Sequence, residues 1–219
     1  MHATTKLMLI RHGETDDNRA QVFQGQAGSC LNERGRTQAA RLAERLVGAR
    51  IRPAAVYCSD LERARETAGI LASALGLTPA LDAGLREVNL GAWQGLSRAD
   101  VQARFPDEWA AWRSGVDVRR GGGETYAELG DRMIRALDRI AERHAGEVVA
   151  LVSHGAAIKT LVGRVLHMGA SGLKALQVPA NTGVCLIERD ENGGYRLVVW
   201  NDAAHLGDAL AGALSAPPA

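Results

Sequence analysis

The chain has 219 residues, enough for one compact α/β domain, and its 46% hydrophobic content is that of a globular protein. Lys and Arg (26) balance Asp and Glu (25) to a formal charge of +1, which gives no reason to expect nucleic acid or a membrane surface as partner. The cysteines, Cys30, Cys58 and Cys185, are odd in number and lack CxxC spacing, which argues against a disulfide framework and a structural zinc site.

The first expected element is a buried strand over residues 6–10, running directly into Arg11-His12-Gly13-Glu14-Thr15. No signal-peptide core precedes it and no apolar stretch is long enough for a bilayer, so a reducing cytoplasm is the expected compartment. Arg11 and His12 fall at the carboxyl end of the strand, where open α/β sheets keep their binding crevices. A guanidinium fork beside a neutral imidazole suits a phosphoryl group: the fork grips oxygens and the ring offers a nucleophilic nitrogen.

A helix over about 33–47 follows, with Ala39, Leu42, Ala43 and Leu46 on its apolar face. A second strand, 54–58, precedes a helix over 61–75, and Ser59 with Glu62 has the spacing of a capping box. Arg63 and Arg65 then sit in the first turns of a helix whose terminal amides favour anions, and one of them can face the crevice. Arg65, Glu62 and Glu66 otherwise read as an exposed face with weak ion pairs. After a short strand at Pro79, Glu87 lies in the otherwise apolar run Leu85-Arg-Glu-Val-Asn-Leu-Gly-Ala-Trp-Gln-Gly95. Such surroundings, with a phosphate dianion bound, are expected to let it carry the proton that a leaving alkoxide needs.

Residues 96–123, which include Trp109 and Trp112, read as short helices and a flexible loop, a lid or specificity wall over the crevice. Within it, Arg119 and Arg120 either bind a substrate carboxylate or second phosphate, or belong to a solvated loop. A helix over 125–144 leads to a strand at 147–153, which runs into His154-Gly155 and a helix over 156–166. This repeats the grammar of the first motif, and two parallel strands ending in His-Gly can converge on one crevice. The strands 184–189 and 195–200, joined by Asp190-Glu-Asn-Gly-Gly194, form an antiparallel edge, and 204–219 is a tail whose final Ser-Ala-Pro-Pro-Ala is expected to fray. The alternation predicts a three-layer α/β/α sandwich, its sheet mostly parallel with an antiparallel edge strand, in a single domain over residues 1–219. His2, His144, His167 and His205 have no ligand spacing and are assigned to surface or packing roles.

Arg11-His12-Gly13-Glu14-Thr15, Ser59-Asp-Leu-x-Arg63-Ala, Leu85-Arg-Glu87 and Ser153-His154-Gly155 stand in the order and spacing of a known family. From residue 7 to 200 the chain resembles the histidine phosphatase superfamily, in the branch of cofactor-dependent phosphoglycerate mutases and their phosphatase relatives. The resemblance implies that His12 is the phosphorylated nucleophile, that Arg11, Arg63 and His154 complete the phosphate pocket, and that Glu87 donates a proton and later activates water. It places Asn18, Gln24 and Gly25, with Gly155 of the last motif, beside the phosphate, and likens Gly123-Glu124-Thr125 to a Gly-Glu-Ser helix start. Two departures stand out: Asp17 replaces a frequent aromatic residue, and Gly28-Ser-Cys30-Leu-Asn32-Glu33 replaces Asp-x-Pro-Leu-Thr-Glu.

The expected activity is metal-independent hydrolysis of small-molecule phosphate monoesters through a phosphohistidine. The alternative is a mutase, but that branch typically has Arg-His-Tyr-Gly after the catalytic Glu, where this chain has Val88-Asn89-Leu90-Gly91. A silent phospholigand-binding module would have no use for a nucleophile and an acid together. A pocket with two arginines and few carboxylates is hostile to a divalent cation, so neither metal nor cofactor is expected. A homodimer is left open.

Overall fold

A computed structural model describes residues 4–207. Strand β1 (Thr5–Arg11) is followed by the single-turn α1 (Asp16–Arg19) and by α2 (Glu33–Gly48). Next come β2 (Ala55–Cys58), α3 (Glu62–Leu75), β3 (Pro79–Leu81), α4 (Arg98–Arg104) and α5 (Pro106–Ser114). The chain closes with α6 (Tyr126–Arg143), β4 (Val148–Ser153), α7 (Gly155–Val165), β5 (Val184–Arg189) and β6 (Tyr195–Asp202). Among these, only the short α1 had no counterpart in the sequence reading.

The six strands form one sheet in the order β3-β2-β4-β1-β5-β6. The first four are mutually parallel, while β5 runs antiparallel to β1 and β6 antiparallel to β5. The antiparallel edge is thus the whole terminal hairpin. Its turn closes as Asp190 accepts through Oδ1 from the backbone N–H of Asn192 (2.9 Å) and Gly194 (2.8 Å).

Alternate residues of a strand face opposite sides, and each side of this sheet meets its own core. Leu7 and Leu9 of β1, with Val149 and Leu151 of β4, pack under Leu129, Met133, Leu137 of α6 and Ile158, Leu161 of α7. Met8, Ile10, Ala150 and Val152 face the other way, against Leu42 and Leu46 of α2 and Ala68 and Leu71 of α3. This produces the three layers. Cys58 and Cys185 are buried thiols within them, and all three cysteines are free.

Local chemistry sets the helix ends. Asn32 caps α2 by accepting from the Gly35 N–H at 2.8 Å, and Thr125 with Glu128 forms a capping box on α6. The capping box expected at Ser59 and Glu62 does not form. Helix α3 starts two residues too late for it, with Leu61 in place of Ser59 at the cap, and the Ser59 hydroxyl instead accepts from the Leu61 N–H at 3.2 Å. Glu66 is also more than an exposed charge: it pairs with Arg36 at 2.6 Å and accepts from the Leu31 N–H at 3.0 Å, tying α3 to the loop before α2. Residues Ala204–Leu206 form a 3-10 turn whose His205 bonds Thr182 at 2.8 Å, and the remainder of the expected tail lies outside the described residues.

Between β3 and α6, α4 and α5 are joined to the body by aromatic packing. Trp93 is fully buried among Phe23, Phe105, Trp109 and Trp112, with ring centroids 5.5–6.3 Å away. Arg120 is 3% exposed with its guanidinium 4.0 Å over the Tyr126 ring, so the solvated-loop alternative fails for it. Arg119 instead pairs with Glu128 and donates to the Gly123 carbonyl. Gly121 has φ +56°, and a Cβ there would stand 2.6 Å from the Leu90 carbonyl oxygen, so this glycine run is a packing device.

Candidate active site

The register of β1 on β4 builds the site. Arg11 pairs with Ser153, so the next residue of each strand, His12 and His154, emerges at the same edge. Their rings lie 5.2 Å apart, centroid to centroid, and are 3% and 0% exposed. The turn after β1 is tight because Gly13 lies on the backbone of α2: a Cβ there would come within 2.5 Å of the Gly35 carbonyl oxygen.

The His12 tautomer follows from its partner. Nδ1 lies 2.7 Å from the Gly13 carbonyl, which can only accept, so Nδ1 carries the proton and Nε2 keeps its lone pair. Burial, followed by the nearby Arg63 and Arg11, holds the His12 pKa well below 6.5. The same causes, burial first and then Arg63, hold His154 low, and neither of its ring nitrogens has a partner.

The cations converge on these rings. Arg11 donates through Nη1 to the Pro179 carbonyl at 2.7 Å, while its buried Nε has no acceptor. Burial lowers its pKa to about 10. Arg63 is 2% exposed; its Nη1 and Nη2 donate at 2.7 Å to the carbonyls of Ala27 and Gly25, and its Nε is unpartnered. Arg63, and not the exposed Arg65, is therefore the α3 arginine at the crevice. Several buried donors without acceptors, gathered around two neutral imidazoles, are what an anion site looks like before the anion arrives.

The loop residues form one network. The Thr15 hydroxyl accepts from the Asn18 N–H (3.1 Å) and from Gln24 Nε2 (2.8 Å). Gly25 sits in the loop that Arg63 clamps. Asp17, where the family often has an aromatic ring, accepts through one oxygen from both the N–H and hydroxyl of Ser29, so the two departures from the family pattern compensate each other. Gly155 leaves room for Arg11: a Cβ there would lie 3.2 Å from Arg11 Nε.

Glu87 is partly buried, but its seat is not the apolar one expected. Its Oε1 accepts from the N–H of Val88 and Ala157, both 2.9 Å, and its Oε2 from the N–H of Ala156 at 3.0 Å, so the first turn of α7 holds the carboxyl. Arg132 fixes the approach. It pairs with both oxygens of Glu124 (2.9 and 2.8 Å) and donates to the carbonyls of Gly84, Arg86 and Glu87 at 3.0–3.2 Å. Sequence reasoning missed Arg132, and it missed Asn181. The Asn181 side chain donates to the His12 carbonyl (3.0 Å) and to Asn18 Oδ1 (3.1 Å). No motif marks either residue.

The buried histidines predict a pH dependence of stability. Each is neutral when folded, whereas unfolded it titrates near 6.5, so below that pH the unfolded chain binds more protons. Stability is therefore complete above about pH 6.5 and falls on acidification, by up to about 1.4 kcal/mol per pH unit for each histidine. Urea unfolding at pH 7.5, 6.5 and 5.5 checks this, with His154→Gln expected to flatten the profile by one histidine's share. An identical slope in that variant would remove His154 from the account.

Residues 7–203 match the histidine phosphatase superfamily (branch 1), and the chain belongs to that family. A metal-independent phosphoserine phosphatase of Arabidopsis thaliana is 37% identical over 92% of this chain and 83% of its own length. A glucosyl-3-phosphoglycerate phosphatase of Mycobacterium tuberculosis is 34% identical over 92% of this chain and 96% of its own. Among solved structures, Bacillus stearothermophilus YhfR superposes with a TM-score of 0.86 at 32% identity, covering 92% of this chain and 99% of that one.

Proposed function

We propose that the chain hydrolyses small phosphate monoesters by transferring the phosphoryl group first to His12 and then to water. The observation that carries this reading is the pairing of a buried His12, its Nε2 lone pair free, with unpartnered donors on Arg11, Arg63 and His154. His12 Nε2 attacks phosphorus as the bond to the ester oxygen breaks, and Glu87 gives its proton to that oxygen. Arg11, Arg63 and a His154 N–H take the equatorial oxygens, whose charge is the main thing a phosphoryl-transfer site must stabilise. Glu87, now a carboxylate, takes a proton from the water that cleaves the phosphohistidine. Asn18 and Gln24 contribute side-chain contacts, and Gly25 and Gly155 contribute space.

Hydrolysis is favoured over mutase chemistry by the segment after Glu87. Val88 and Leu90 are buried in the core and Asn89 caps the Gly91 N–H at 2.9 Å, so no cation stands there to retain a phosphorylated product. The cationic pocket also repels a divalent metal, and among the described residues no His, Cys, Asp or Glu cluster has the form of a metal centre. Three free cysteines fit the reducing cytoplasm that we propose as the compartment. The panel that tests the reading is p-nitrophenyl phosphate, phosphoserine and 3-phosphoglycerate, the last with and without 2,3-bisphosphoglycerate, all in chelator. Phosphate release that chelator leaves unchanged is expected. Interconversion of phosphoglycerates without net phosphate release would overturn it.

A further inference from the structure

Among the described residues other than glycine that take a positive φ, Thr182 alone is β-branched, and its φ is +58°. It is also fully buried. A branched Cβ crowds the backbone in that region, so the conformation persists only where the surroundings impose it, and such strain gathers at functional sites.

What this strained turn holds is the end of β1. The Thr182 N–H donates to the carbonyls of Arg11 (2.9 Å) and His12 (3.3 Å), and the Gly183 carbonyl accepts from the Arg11 N–H at 3.2 Å. Pro179 accepts from the Arg11 guanidinium and Asn181 donates to the His12 carbonyl. Residues 179–183 thus grip the backbone of both site residues and the side chain of Arg11.

The turn is itself fastened from the far end of β6. Asn201 Oδ1 accepts from the Ala180 N–H at 2.8 Å, and His205 Nε2 lies 2.8 Å from the Thr182 hydroxyl. The single proton of that hydroxyl goes to the Asn181 carbonyl, 2.7 Å away, which can only accept. The Thr182 oxygen is therefore the acceptor, and His205 donates through Nε2. Burial, followed by Arg45, lowers the His205 pKa, in keeping with a neutral ring. The 3-10 turn that carries His205 is anchored as well: Asp202 accepts from the Ala204 N–H at 3.1 Å and pairs with Arg45 of α2 at 2.6 Å.

We propose that His205 is a positioning residue, whose hydrogen bond to Thr182 holds the strained turn that sets His12 and Arg11 in the phosphate pocket. Without that bond Thr182 relaxes to a negative φ, its N–H turns away from the two carbonyls, and the nucleophile loses its seat. Misplacement by about 1 Å at a reacting group can cost on the order of 10²-fold. The inference rests on the phosphatase reading for the reaction that His12 performs.

His205→Phe keeps a ring and removes the donor, whereas His205→Gln puts an amide N–H where Nε2 stands. In single-turnover transfer from p-nitrophenyl phosphate, well below the unfolding temperature, His205→Phe is expected to slow the step about tenfold and His205→Gln to recover it to within about threefold. Glycine takes a positive φ without strain, so in a Thr182→Gly background the same His205→Phe change is expected to cost less than about twofold. A purely structural role would lower Tm in both backgrounds and leave the rate of the folded protein alone. A His205→Phe rate within about twofold of wild type, a His205→Gln rate as slow as that of His205→Phe, or a full loss that persists with Thr182→Gly each overturns the proposal. Histidine-ring ¹H–¹⁵N spectra separate this from a failure of the phosphatase reading, because they need no turnover. The His12 signals are expected to move in His205→Phe and to return in His205→Gln. His12 signals unmoved in His205→Phe overturn the proposal even if the chain hydrolyses no ester.

Discussion

His12→Ala is expected to abolish turnover, lowering kcat by roughly 10⁴-fold or more for every ester, because the proposed mechanism leaves no other group to accept the phosphoryl. The geometry leaves no substitute nucleophile. His154 shares the pocket, but it too is neutral and buried, and its place at the cap of α7 directs it at phosphate oxygens in the proposed reaction. Water is also a weak replacement, since attack on the ester directly would lose the covalent step that divides one barrier into two. A second signature accompanies the loss. Wild-type protein quenched in alkali during turnover of a labelled ester is expected to carry a label that acid removes, as a nitrogen–phosphorus bond requires, and His12→Ala is expected to carry none. Retention of wild-type rates by His12→Ala, with its fold verified by thermal unfolding, would end the mechanism.

How much of this was legible in the sequence depends on whether the determining physics was local. Arg11-His12-Gly13 and Ser153-His154-Gly155 could be read because a strand of apolar residues fixes where its own end falls, and a parallel pair brings the two ends together. The alternation that separated Leu7 and Leu9 from Met8 and Ile10 is equally local, and it specified both layers of helices. What could not be read was set by contacts distant in sequence. Asn181 reaches His12 and Asn18 across more than 160 positions from a loop with no motif. Arg132 orients the Glu87 segment from the second turn of α6, a place that reads as an ordinary exposed helix face. The character of the Glu87 seat was misjudged for the same reason: its apolar sequence neighbours point into the core, while its carboxyl meets the amides of α7, some 70 residues on. Ser59 and Glu62 show the opposite failure. The spacing fits a capping box, but the bend through Asp60 and Leu61 moved the cap from Ser59 to Leu61 and started the helix two residues late.

The Glu87 seat makes a sharper prediction possible than the sequence did. Its Oε1 accepts two N–H groups and its Oε2 only one, so a lone pair left free on Oε2 is the position from which the proposed proton transfer would be made. Glu87→Gln removes that proton and, whichever way the amide is turned, sets an NH₂ against at least one backbone N–H. The clash costs about 1–3 kcal/mol of local stability and affects every substrate alike. The ratio between substrates therefore isolates the chemistry. An alkoxide leaving group needs its proton in the transition state, whereas p-nitrophenolate departs well without one. Glu87→Gln is thus expected to slow an alkyl phosphate such as phosphoserine by roughly 10²–10⁴-fold, the usual value of a positioned acid, and p-nitrophenyl phosphate far less in single-turnover measurements of phosphoryl transfer to His12. Dephosphorylation of the phosphohistidine would slow equally for both, since the same intermediate forms from either ester and the same carboxylate must take the proton from water. A variant that slows both esters equally in the first step would assign Glu87 to holding the turn of α7 and leave the acid to another group.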